Sequence, residues 1–218
     1  MVDELSLAGE RAVEEAKRLW SLDVYDPLHG DKRPRAAECL AVINDIIRAN
    51  GWGANTEYTG NGPPQWCGMF AGKCWRVASL DPTWLATYWA STYRLGLWAR
   101  YERFASTSKA NPAPADRSDR RLIMKIAPNA VLGFAPRAGD IVIVGDGNPK
   151  EGDHVTLNVG YDDKRRVFDT ISGNGGGLGP NGNSREGISR REFAIDSVGY
   201  RAMFVIRPAF GDLLAERP

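Results

Sequence analysis

A chain of 218 residues with 43% apolar and 25% charged side chains has the composition of a globular protein, and it is long enough to bury a core without help from disulfides or metals. Its 28 Lys and Arg against 27 Asp and Glu leave a formal charge of +1, which argues against a nucleic-acid partner, since that needs a basic excess gathered on one face. No apolar run approaches the ~20 residues that cross a bilayer, so no membrane partner is expected. The start Met1-Val2-Asp3-Glu4-Leu5 lacks the basic residues and apolar block of a secretory signal, and synthesis in the cytoplasm without a signal peptide is the expectation.

In chain order, Leu5, Val13, Ala16 and Trp20 recur at helical spacing and predict an amphipathic helix over 4–20. A polar loop with Pro27, Gly30 and Pro34 follows. Leu40, Ile43 and Ile47 then mark one face of a second helix over about 36–50, which Asn50-Gly51 stops. Residues 51–65 read as a Gly- and Asn-rich loop ending in Pro63-Pro64-Gln65. A third helix begins at or just before Cys67, with Phe70, Cys74 and Val77 as its apolar stripe. Residues 83–104, rich in Trp and Tyr, read as helical, and residues 105–120 have the composition of an exposed insertion.

The second half changes to a strand period. Ile141-Val142-Ile143-Val144 is a short apolar run entered through Gly139-Asp140. From His154 to Val159 the chain alternates, with Val155, Leu157 and Val159 on one face and His154, Thr156 and Asn158 on the other. Val167 to Ser172 and Gly199 to Ile206 are further strands. Gly173 to Asn183, with six glycines, reads as a loop. Helices first and strands after make an α+β order, in one domain spanning 1–218 with a helical N-terminal part over 1–50.

The cysteines are Cys39, Cys67 and Cys74. On one helix, the seven steps from Cys67 to Cys74 separate their Cα atoms by roughly 10 Å, beyond the ~7 Å limit for a disulfide. With His29 and His154 as the sole histidines and no C-x-x-C pair, neither a zinc site nor any other cofactor is expected. Cys67 falls in the first turn of a helix, where free N–H groups and the dipole favour a thiolate. A buried core thiol is the bland alternative. His154, on the polar face of its strand, supplies the imidazole that a cysteine nucleophile needs to take its proton and protonate a leaving amine.

If His154–Val159 and Val167–Ser172 form an antiparallel hairpin about the turn Asp162-Asp163-Lys164-Arg165-Arg166, His154 and Asn174 lie opposite each other, about 5 Å apart. Asn174 would then orient the imidazole as in Cys-His-Asn sites, with Asp169 and Asp153 as rivals for that role and a plain loop opening as the structural alternative. The Cys67 N–H is a candidate oxyanion donor. Gln65, through its amide, Tyr58, through its hydroxyl, and Trp66 are candidates for oxyanion or substrate contacts.

Several fragments resemble one family. Gln65-Trp66-Cys67-Gly68-Met69-Phe70 resembles the segment around the catalytic cysteine of CHAP-type amidases. Arg137-Ala138-Gly139-Asp140-Ile141-Val142 resembles the Gly-Asp strand that precedes the histidine in NlpC/P60 and CHAP proteins. Asp153 to Gly160 resembles their histidine strand, Ile171-Ser172-Gly173-Asn174 their closing Glu-x-Asn or Gly-Gly-Asn element, and Gly199-Tyr200-Arg201 their final strand. Ser172 stands where many CHAP proteins carry Glu. The resemblance covers residues 65–206 and implies a papain-like fold, with N-terminal helices packed on an antiparallel β-sheet. It also implies cysteine amidase or peptidase activity on the amide bonds of bacterial peptidoglycan peptides. With no secretion signal, non-classical delivery to the periplasm or cell wall is expected, as a phage-type lysin or an injected toxin. The toxin case predicts a small immunity protein. A cytosolic thiol hydrolase with another substrate and a catalytically silent binding module are the rival readings.

Overall fold

A computed structural model describes residues 4–28, 34–50, 57–59, 66–78, 123–129, 131–146 and 154–207. Helices α1 (Glu4–Ser21), α2 (Ala36–Arg48) and α3 (Cys67–Val77) come first, and strands β1 (Ile123–Lys125), β2 (Ile141–Gly145), β3 (His154–Asp162), β4 (Val167–Leu178), β5 (Ser184–Ala194) and β6 (Arg201–Ile206) follow. The strands form one antiparallel sheet of order β1-β6-β2-β3-β4-β5 among the described residues. The class is α+β. The expected helix over 83–104 and the insertion over 105–120 lie outside the described residues. No helix among the described residues is long and apolar enough to cross a membrane.

Alternation along the strands divides the core into two layers. Ile141 and Ile143 of β2, Val155 and Leu157 of β3 and Ile171 of β4 join the buried faces of the three helices. Val142 and Val144, Phe168 and Val205 point the other way, into a second cluster closed by Ile126, Leu132 and Phe134 from the chain around β1 and before β2. Burial on both faces is why Ile141–Val144 reads as an unbroken apolar run rather than an alternating one. It also means that the polar face of β3 is not a solvent face. Thr156 and Asn158 are buried and satisfied internally, Thr156 Oγ1 donating to the Val142 carbonyl and Asn158 Nδ2 to that of Arg137.

Helix α3 is the hub of the helical layer. It packs against α1 and α2 on one side and β3 and β4 on the other, and almost all of its first nine residues are buried. Asn50, just past α2, is buried and donates through Nδ2 to the carbonyls of Ile46 and Met69, joining α2 to α3. Trp75 Nε1 donates to the Gly139 carbonyl and fixes the other end of α3 at the entrance to β2. At that entrance Asp140, also buried, accepts from Arg207 Nε and Nη2 and from the Arg137 N–H. The Gly-Asp signal therefore marks an ion pair that clamps the start of β2 to the residue following β6.

One sequence expectation is corrected here, and one strand is added. Gly173 to Asn183 is not one loop: β4 continues to Leu178 and pairs with β5, which the sequence reading passed over. Glycines have a low strand preference in isolation, but backbone pairing with a neighbouring strand overrides it. The tip is also held by Trp20 of α1, whose Nε1 donates to the Leu178 carbonyl, and by Arg185, a buried side chain paired with Asp23.

Candidate functional site

Cys67 is the first residue of α3, as its sequence context predicts, and it is buried. The N-cap residue of α3, Trp66, makes no side-chain capping hydrogen bond and the first turn holds no acidic residue, so the positive end of the dipole is not offset by a carboxylate from its own helix. All three cysteines are unbridged and buried. Burial, with Glu15 nearby, pushes the Cys74 thiol well above its ordinary range, which marks it as an inert core thiol.

Trp66 positions the head of α3. Its side chain is fully buried, lies on β4 at Gly173 and meets the Tyr58 ring edge-on, with centroids 6.3 Å apart. A Cβ on Gly173 would come within 2.3 Å of the indole and 2.9 Å of the Phe70 Cβ, so only glycine admits this approach. The Tyr58 hydroxyl donates to Asp26 Oδ2 at 2.6 Å. Burial first, and the Asp26 carboxylate second, hold its pKa well above the usual phenol range. Of the expected oxyanion or substrate contacts, Tyr58 and Trp66 are buried and pack against each other beside the start of α3, and Gln65 lies outside the described residues.

His154 begins β3 and is partly buried. It pairs with Val144, and its neighbour Thr156 pairs with Val142, so alternation sets its side chain on the face away from the helices. There its Nε2 lies 2.9 Å from Ser172 Oγ. Gly175 closes over the same edge of the ring, where a Cβ would come within 2.8 Å of Nε2 and 3.0 Å of Ser172 Oγ.

The hairpin expected between β3 and β4 is present, turning through 163–166, and its register explains what becomes of Asn174. Leu157 pairs with Ile171 and Asn158 with Thr170; continued for three residues, that register would set His154 against Asn174. The β3–β4 pairing instead ends at Leu157 and Ile171, and β4 bulges between Ser172 and Gly175 in its pairing with β5. Asn174 sits in the bulge at φ 54°, a left-handed conformation that Asn tolerates better than most residues. The ring's hydrogen bond accordingly goes to Ser172. Of the rivals, Asp169 is committed to Arg190, whose Nε donates to it at 2.8 Å, and Asp153 lies outside the described residues.

The head of α3 and the imidazole therefore meet the same short stretch of β4. Trp66 and Phe70 touch it at Gly173 from the helical face, and His154 touches it at Ser172 and Gly175 from the opposite face. Sequence reasoning missed Ser172 as the partner of the ring. The available signal was its diagonal position, two residues before the directly opposed one, which an ordinary cross-strand contact spans. No protein-family model, no curated protein and no solved structure matches the chain.

Proposed function

We propose that the protein is a cysteine amidase or peptidase of the NlpC/P60–CHAP kind on a papain-like variant of this α+β architecture, acting on peptidoglycan peptides. The observation that supports it most directly is the approach of the Cys67 helix start and the His154 ring to one bulged stretch of β4, Ser172–Gly175. A thiol at a helix start and an imidazole at the first residue of β3 are the two groups that amide acyl transfer requires. The reading requires the Cys67 thiol and the His154 ring to reach one substrate past the β4 bulge that stands between them. In the first step the Cys67 sulfur would bond to the carbonyl carbon, its proton would pass to His154, and the C–N bond would break as His154 protonates the departing amine. In the second, water attacks the thioester carbon and gives a proton to His154. The carboxylic acid leaves and the proton returns to sulfur. Delivery to the periplasm or cell wall, and an immunity protein that plugs the site, belong to the same proposal.

One observation favours a second reading, a catalytically silent binding module. Cys67 is only 2% exposed, and His154 lies on the sheet face opposite the helices. Mass spectrometry of purified muropeptides incubated with the protein separates the two readings. The enzyme reading expects new cleavage products that Cys67→Ala abolishes while its circular dichroism stays unchanged. Intact muropeptides, or equal cleavage by Cys67→Ala, would end it.

A further inference from the structure

We infer that Ser172 is the positioning residue of His154, holding the ring through Nε2 and leaving Nδ1 as the basic nitrogen. As a statement about catalysis this rests on the cysteine-hydrolase reading above; as a statement about the ring it stands on geometry alone.

Four features of β4 and its neighbour support it. Ser172 Oγ is 2.9 Å from Nε2, a hydrogen-bond distance, and Ser172 itself is buried at 4% exposure, so water does not compete freely for the contact. The bulge carries Asn174 out of register and brings Gly175 over the ring edge, where any side chain would collide with both Nε2 and Ser172 Oγ. Ser189, buried on β5, donates through Oγ to the Gly175 carbonyl at 2.9 Å, which pins the bulge from the far side. Among the described residues, Ser172 is the hydrogen-bond partner found for the ring, and it engages Nε2 rather than Nδ1.

A serine hydroxyl can accept from Nε2–H or donate to a bare Nε2, and the two cases have opposite consequences. Accepting fixes the Nε2–H tautomer and leaves the Nδ1 lone pair free to take a proton. Donating occupies Nε2 and puts the proton on Nδ1, so that neither nitrogen is a free base. The inference is the first case. The residue that orients the base is then a neutral hydroxyl rather than an amide or a carboxylate, and it supplies direction without adding negative charge beside the imidazolium that forms during turnover.

The test has two arms on the full chain. In two-bond nitrogen–proton correlation spectra at a pH where His154 is neutral, the parent protein should show the Nε2–H tautomer with a slowly exchanging ring proton. Ser172→Ala should lose that protection and Ser172→Thr should keep it. An Nδ1–H tautomer, or unchanged protection in Ser172→Ala, overturns the inference. In the second arm, muropeptide cleavage by Ser172→Ala should fall about tenfold in kcat with KM little changed, a fraction of the contribution typical of a general base, and Ser172→Thr should recover most of it. Labelling of Ser172 by a fluorophosphonate would make it a nucleophile and also overturn the positioning role. If the parent protein cleaves no muropeptide, the hydrolase reading fails while the spectra still decide the inference.

Discussion

At Gly173 a missing side chain lets an indole lie directly on a strand, and the head of α3 depends on it. Alanine there would bring a methyl group to 2.3 Å from the Trp66 ring, and neither the buried tryptophan nor the paired strand has room to yield. Gly173→Ala should therefore cost about 1–3 kcal/mol, the usual penalty for overpacking a dense core, read as a lower urea midpoint with an unchanged slope. A midpoint equal to the parent's would mean that the ring and strand are not in contact. The sequence marks Gly173 only as one of six glycines in a run, because a close approach is a property of the two surfaces that meet. Cys67 is the contrasting case: its place at a helix start was legible from the Pro-Pro-Gln-Trp approach and the apolar stripe behind it.

Among the elements, β2 shows how a motif reads one way and works another. Gly139-Asp140 announces a strand, and the strand is there, but the carboxylate serves to anchor it to Arg207, a residue 67 positions away in sequence. Both groups are largely buried. Asp140→Ala would leave the guanidinium without its counter-charge, and loss of one partner of a buried pair typically costs about 3–5 kcal/mol. Denaturant unfolding of Asp140→Ala should show a loss of roughly 3 kcal/mol or more; a change below about 1 kcal/mol, as for an exposed pair, would sink the assignment of Asp140 as a clamp. The helices and the hydrophobic strands were legible because their periods are written locally. Strand β5, Ser-Arg-Glu-Gly-Ile-Ser-Arg-Arg-Glu-Phe-Ala, was not. Its charged residues hide the period, and it is a strand because β4 offers it a paired edge and Phe168 and Val24 lie beside its apolar positions.

Across the whole molecule, one exposed cluster ties together loops from three parts of the chain. Asp196, after β5, accepts from Arg166 in the β3–β4 turn at 2.5 Å and from the Asn129 N–H after β1 at 2.6 Å. The Arg166 hydrogen bond first, then the Asn129 N–H, hold the Asp196 carboxyl below its ordinary value. A carboxyl depressed on folding contributes stability above its unfolded value, about 3.9, and loses that contribution as pH falls through the folded one. The parent protein should therefore melt above Asp196→Asn at pH 6, and the gap should close as the pH is lowered below about 4. A gap independent of pH would show that the carboxylate charge is not what binds the loops.

By itself the sequence determined the class, the helices α1 to α3, the strands β2, β3 and β6 with the first half of β4, the reduced state of the cysteines and the candidacy of Cys67 and His154. Each of these follows from local period, local capping signals or residue count. Only the tertiary structure decided that the glycine run is half of a hairpin, that Asn174 is carried out of register, and that the imidazole meets Ser172 on the face of the sheet away from α3. Those outcomes depend on a bulge and a pairing partner, and a bulge of one residue reverses the face of everything beyond it, a displacement too small to register in a periodic pattern yet large enough to choose which side chain a histidine touches.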